Sequence, residues 1–253
     1  MDQIISIQHA IIKDLETAGR ASPYTADANE PDPRYKSYGV RAKETKAIFT
    51  KHRPTIRSLP PDQQIDLAKT LIRSKFGEQQ SIALFILQKH TSYFSPSRFA
   101  ELDSLIRCLH GWSKIDAFTG SLLRDILWQH PAEFSELVRS WNNDPDMWLR
   151  RASVVLFTRK VAKSGQFNNF ALEMCHNLIH AKEDLVQKGV GWALKDLMRS
   201  DKERIKSYVR QLRQQGVSSV ITLYAIRDLK GEERSNILAK PSSITTQSTI
   251  DHK

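Results

Sequence analysis

The residues best placed to do chemistry fall in Gly111-Trp112-Ser113-Lys114-Ile115-Asp116, at the start of a helical stretch that continues to Trp128. An ionised carboxylate at Asp116 would stabilise a neighbouring cation. An indole face such as that of Trp112 attracts one by about 0.5–2 kcal/mol, depending on how much water is excluded. A structural role competes. Ser113 and Asp116 have the spacing of a capping box, in which each side chain bonds the backbone amide of the other, and Trp112 could equally anchor a core. Two further segments carry candidates. Met147-Trp148-Leu149-Arg150-Arg151-Ala152 offers adjacent guanidinium groups, and Gln187-Lys188-Gly189-Val190-Gly191-Trp192 sets a second tryptophan near a lysine. A tryptophan in an apolar helix is more often packed inside than set against a ligand. Gly189 and Gly191 weigh against that for Trp192, because each costs about 1 kcal/mol relative to alanine in a helix interior. Close approach of a backbone or a neighbouring helix would explain the expense.

Other patterns lead nowhere. His176 and His180 have the i, i+4 spacing of two metal ligands, but HNLIH lacks the glutamate of a zinc-protease motif and no third ligand is evident. Gly189-Val190-Gly191-Trp192 follows no strand and lacks the third glycine of a dinucleotide fingerprint. There is no Gly-x-Ser-x-Gly elbow. Neither a cofactor nor a metal is called for.

These candidates must be positioned by helices. The 253 residues include only ten glycines and ten prolines, and apolar residues recur at spacings of three and four, as in Leu102-Leu105-Ile106-Leu109. The pattern predicts an all-α chain with helices over 2–18, 42–52, 61–74, 78–91, 97–109, 114–129, 132–141, 147–163, 168–181, 184–198, 202–214 and 217–229. Short joints such as Pro60-Pro61, His130-Pro131, Asp144-Pro145-Asp146 and Gly165 make helical hairpins of them. The segments beginning at Gly77, Met147 and Leu185 align with one another, each with a polar or basic pair, a small residue (Ser81, Ala152, Gly189) and an apolar run. Arg151 and Lys188 are 37 positions apart in that register, and Gln80 lies 71 positions before Arg151. This is the period of stacked helical repeats of about 40 residues, a solenoid with a concave face built from the second helix of each pair. Basic residues repeated in register, Arg151 and Lys188 with Arg150 beside them, would line that face. One domain over 1–238 is expected, with a long loop at 20–38 free to order on binding and a disordered polar tail over 239–253.

Lysine and arginine outnumber aspartate and glutamate by 38 to 28, for a net charge of +10. Such a basic balance favours a polyanionic partner, with nucleic acid the first candidate. Cys108 and Cys175 are far apart and in apolar contexts, as expected of reduced core residues. The acidic, amphipathic N-terminus and the lack of any long apolar run predict an intracellular, cytoplasmic protein with no membrane partner. Nothing in the sequence demands more than a monomer.

Taken in order, Trp112-x-x-x-Asp116, MWLRRA from Met147 and QKGVGWAL from Gln187 resemble the three signature segments of the AlkD-type alkylpurine DNA glycosylases. The resemblance covers roughly residues 100–210 well and the N-terminal third more loosely, through Gly39-Val40 and the basic helix after it. It implies a HEAT-like solenoid with a basic concave face that removes N3- and N7-alkylated purines from double-stranded DNA without flipping the base into a pocket. By position, Asp116 is similar to the family's catalytic aspartate, Trp112 and Trp192 to the two tryptophans flanking the damaged nucleotide's sugar, and Arg151 to the arginine nearby. Tyr35 is the nearest counterpart of the family's N-terminal tyrosine. Arg151, Arg150, Lys188, Lys114, Tyr35 and basic residues of 41–53 and 199–213 would contact DNA. The chemistry is consistent with these roles: a cationic purine leaves readily, so one carboxylate suffices to stabilise the oxocarbenium-like sugar. Ser113 and Lys114 depart from the family pattern, and two rivals stand beside the glycosylase: a non-catalytic DNA-binding member of the fold, and a helical-repeat scaffold for acidic proteins.

Overall fold

The computed structural model describes residues 2–21, 32 and 35–239. Among these there is no strand, and fifteen α-helices follow one another in the chain. The first four are α1 (Asp2–Ala21), α2 (Ala42–Arg57), α3 (Pro61–Ile72) and α4 (Gly77–Leu87). Next come α5 (Phe99–Ile106), α6 (Trp112–Phe118), α7 (Arg124–Gln129), α8 (Pro131–Asn142) and α9 (Met147–Val155). The chain ends through α10 (Arg159–Ser164), α11 (Asn168–Asn177), α12 (Asp184–Leu197), α13 (Lys202–Gln214), α14 (Ser219–Ala225) and α15 (Gly231–Leu238).

Each helix too short to be stable alone in water gains its stability by burying an apolar stripe against its neighbours. Helices pair in sequence, α1 with α2, α3 with α4, α8 with α9, α11 with α12 and α13 with α14, and the pairs stack. One row runs through the second members, α2 on α4, α4 on α6, α6 on α9, α9 on α12 and α12 on α14. The other row is joined by the Lys69–Glu101 ion pair between α3 and α5, the Trp141 indole donating to Asp103 at 2.8 Å between α8 and α5, and α8 packed on α11. Between the rows lies one continuous core that includes Leu71, Ile82, Leu102, Phe118, Phe134, Trp148 and Phe157. This is the stacked helical repeat that the periodicity predicts. Trp112, Lys114, Asp116, Arg150, Arg151, Lys188 and Trp192 sit on the first row, whereas Tyr35 precedes α2 and the basic candidates of 199–213 fall on and just before α13.

Several boundaries differ from the sequence expectation, for physical reasons. The predicted helix 114–129 begins at Trp112 and is interrupted by a π-helical segment over Thr119–Leu123, where the Thr119 hydroxyl donates to the Ile115 carbonyl at 2.9 Å. The predicted helix 147–163 breaks after Val155 and restarts at Arg159, whose φ of 55° is left-handed. Neither glycine nor proline marks the break, because it is made by a partner distant in sequence, described below. Helix α15 lies beyond the last predicted helix, and its Ile237 is buried. Only Asp32 and residues from 35 on represent the second part of the loop predicted over 20–38. Asp32 is buried and accepts a hydrogen bond from the Trp148 indole at 2.9 Å. Lys36 pairs through backbone bonds with Lys75 and Gly77, docking this segment at the start of α4. From residue 240 on, the predicted polar tail lies outside the described residues. No helix among the described residues is long and apolar enough to cross a membrane.

Candidate active site

A cleft of about 1010 Å³ opens along the row of second helices, where α6, α9 and α12 meet α14. Gly111, at φ 90°, is the N-cap of α6, a backbone conformation that suits glycine and few other residues. It starts the helix at Trp112, and its carbonyl accepts from the amides of Lys114 and Ile115. The expected capping box between Ser113 and Asp116 is therefore absent: the helix begins two residues too early for it, and both Asp116 oxygens are engaged elsewhere. Trp112 is 41% exposed and stands at the edge of the cleft, so the core-anchor alternative is also set aside.

Asp116 is nearly buried and forms a two-pronged ion pair with Arg151 of α9. The Arg151 Nε donates to Oδ1 at 2.9 Å and an Nη to Oδ2 at 2.8 Å, with side-chain exposures of 6% for Arg151 and 8% for Asp116. The other Nη of Arg151 donates to the Leu185 carbonyl, tying the pair to α12. Burial pushes the Asp116 carboxyl above the usual carboxylate range, against the opposing pull of the Arg151 charge and hydrogen bonds and of the Arg159 charge.

Trp192 faces the same cleft from α12. Its indole N–H donates to Asp196, one turn along the helix, at 3.1 Å, and the Arg159 guanidinium lies over its ring 5.1 Å from the centroid. The two glycines before it are explained by helix packing. A Cβ on Gly191 would stand 2.7 Å from the Tyr224 Cβ and 2.8 Å from the Ile221 carbonyl oxygen of α14, while one on Gly189 would meet Val154 and Val155 of α9 at 3.2 and 3.3 Å. The glycines let α12 settle deeply between its neighbours, and that depth brings Trp192 to the cleft.

Lys188 lines the cleft and pairs with Asp184 at 2.6 Å. Tyr35 and Lys114 line a second, smaller cleft of about 380 Å³ that shares Trp112 and Ser113 with the first. The Lys114 ammonium donates to the Ser81 hydroxyl at 2.8 Å. Arg41 of the basic 41–53 stretch also lines this second cleft, whereas Lys51 of α2 is paired with Asp14. Arg150 lines neither cleft and is committed to Glu183 and the carbonyls of Asp144 and Pro145.

Two residues of the site, Asp196 and Arg159, escaped the sequence reading. Asp196 is almost wholly buried, and its Oδ2 accepts both the Trp192 indole N–H and the Arg159 backbone N–H, the latter at 2.7 Å. Its Oδ1 lies 3.1 Å from the Lys195 ammonium. This carboxylate is the distant partner that holds the helix break open at Arg159, where a left-handed backbone costs an L-residue roughly 1–2 kcal/mol. The i, i+4 spacing of Trp192 and Asp196 is the only sequence signal for the pair. Among the described residues no group of three or more His, Cys, Asp and Glu side chains could hold a metal ion. His176 instead lies 2.9 Å from the Tyr208 hydroxyl.

With this geometry in view, the family model for DNA alkylation repair enzymes matches residues 12–229. The chain belongs to this family. A solved structure described as a predicted DNA alkylation repair enzyme from Enterococcus faecalis is similar at a TM-score of 0.67, with 15% sequence identity over 78% of this chain and 89% of that one. At that identity the likeness speaks for the shared fold. No curated protein matches the sequence. Family membership points to an enzymatic role in DNA alkylation repair, with DNA as the partner.

Proposed function

We propose that the chain is a DNA glycosylase that hydrolyses the N-glycosidic bond of cationic N3- or N7-alkylated purines in duplex DNA, with Asp116 as its catalytic carboxylate. The observation that carries this reading is the convergence of Asp116, Trp112 and Trp192 on one cleft, from helices 112–118 and 184–197. Alkylation makes the purine cationic, so the C1′–N bond breaks with its electron pair going to the base, which leaves neutral. The carboxylate stabilises the positive charge that develops on the sugar. A water then adds to C1′, its oxygen forming the new bond and its proton passing to Asp116 or to solvent. Arg151 holds the carboxylate in place, and the indoles of Trp112 and Trp192 favour a charged nucleotide over a neutral one.

One observation favours the non-catalytic rival: both Asp116 oxygens are bound by Arg151, as in a purely structural ion pair. Base release from methylated duplex DNA separates the two. The glycosylase reading expects 7-methylguanine or 3-methyladenine to be released, whereas tight DNA binding with no release would sink it and leave the binding reading standing. The scaffold for acidic proteins would require DNA binding to be absent even at low salt, where phosphate contacts are strongest.

A further inference from the structure

Three cations line the main cleft, Arg151, Lys188 and Arg159. Two are matched with carboxylates, Arg151 with Asp116 and Lys188 with Asp184. Arg159 differs: among the described residues no carboxylate lies within the 4.0 Å of an ion pair, and its exposed guanidinium stands over the Trp192 ring instead. Stacking leaves the N–H edge of a guanidinium available, and that planar fork matches the oxygens of a phosphate.

The backbone beneath it is unusual as well. Arg159 is the one non-glycine residue with positive φ among those described, and such a conformation persists only where its surroundings over-determine it. Here Asp196 does so. One of its oxygens fixes both the Arg159 amide and the Trp192 indole, so a single buried carboxylate sets the guanidinium and the ring on which it rests. Opposite, a Cβ on Gly120 would stand 3.1 Å from an Arg159 Nη, so the π-helical turn leaves just enough room for the side chain.

We infer that Arg159 is the phosphate ligand of the cleft, positioned by Asp196, and that it grips the phosphodiester next to the nucleotide held over Asp116. This rests on DNA being the partner. It assigns a role to the helix break at Arg159, and it separates the cation that binds the strand from Arg151, which holds the carboxylate.

The test measures binding of a labelled DNA duplex across a range of KCl concentrations by the parent protein and by Arg159→Ala, Arg159→Lys and Asp196→Asn. Losing one phosphate contact lowers the slope of log affinity against log salt by about 0.9 in magnitude. Arg159→Ala should show that change with several-fold weaker binding at low salt, and Arg159→Lys should keep the slope. Asp196→Asn should weaken binding and add nothing when combined with Arg159→Ala. A neutral methylphosphonate walked along the strand should, at one linkage, weaken the parent and leave Arg159→Ala unaffected. An unchanged slope in Arg159→Ala, with the parent still binding DNA, overturns the assignment and leaves the DNA reading intact. Failure of the parent to bind DNA at low salt overturns both. The positioning role has a second check that does not depend on Asp196→Asn folding. Arg159→Gly, which needs no help to hold φ near 55°, should melt at a higher temperature than Arg159→Ala, and equal melting temperatures would contradict the strain on which that role rests.

Discussion

Arg150 and Arg151 are neighbours on one helix, both paired with a carboxylate from another part of the chain, yet they do different work. Arg150 meets Glu183, which is 37% exposed, and spends its other donors on the carbonyls of Asp144 and Pro145. Arg151 meets Asp116 where both are almost dry, with two hydrogen bonds to one carboxylate and a third donor tied to α12. Neighbouring positions on a helix point about 100° apart, so one guanidinium fastens a loop while the other turns into the cleft. An exposed pair contributes little because water screens it, whereas a buried pair becomes costly the moment either partner is removed. Burying a charged pair at the floor of an open cleft is an expensive way to stabilise a fold, which is why we read it as functional.

The largest expected effect is therefore on Arg151. Arg151→Ala leaves Asp116 buried without its partner and should lower unfolding free energy by about 3–5 kcal/mol in a urea titration. Combining it with Asp116→Asn should recover part of that loss, since no bare charge remains. A loss under about 1 kcal/mol for Arg151→Ala would erase the contrast between the two pairs.

The pH dependence sharpens the comparison next. Burial holds the Asp116 pKa above its ordinary value of 3.8, so the folded value exceeds the unfolded one. Base release needs the ionised form, so the rate should be full above the folded pKa and fall as pH drops through it. The acid limb of the rate profile should then have its midpoint above 3.8. The contribution of this group to stability runs the opposite way: it favours the fold below the unfolded value and is lost as pH rises through the folded value. A limb at or below the ordinary carboxylate range would point to a different group.

The smallest effect belongs to the more exposed pair. Glu183 also lines the cleft, yet Glu183→Gln should cost less than about 1 kcal/mol by the same titration and slow base release far less than Asp116→Asn does. A larger loss of release would show that the Arg150 side of the helix reaches the chemistry after all.

Much of this arrangement was legible in the sequence. The three-and-four periodicity and the proline-marked joints reveal the stacked helices, and the shared register of Arg151 and Lys188 places both on helices of one row. Trp112, Asp116, Arg151 and Trp192 meet in one cleft although they lie on three helices, as the resemblance implied. The illegible parts were made by tertiary contacts. The break before Arg159 carries neither glycine nor proline, because it is Asp196, 37 positions away, that accepts the Arg159 amide. Local spacing also misled: Ser113-x-x-Asp116 reads as a capping box until Arg151 arrives from another repeat to take both carboxylate oxygens. Buried Asp32 could not be foreseen in a stretch rich in proline and acid, since its partner Trp148 is 116 positions away.

The central claim is that the Asp116 carboxylate does chemistry beyond holding Arg151. It is tested most directly by the single-turnover rate of base release from methylated duplex DNA, measured for the parent and for Asp116→Asn with DNA saturated by protein. Removing the charge while keeping the shape should slow release by about 10²- to 10³-fold, the loss typical of deleting one electrostatic stabiliser of a transition state, with DNA binding retained. A variant that binds DNA and releases the base as fast as the parent would reduce Asp116 to a structural partner of Arg151 and contradict the account.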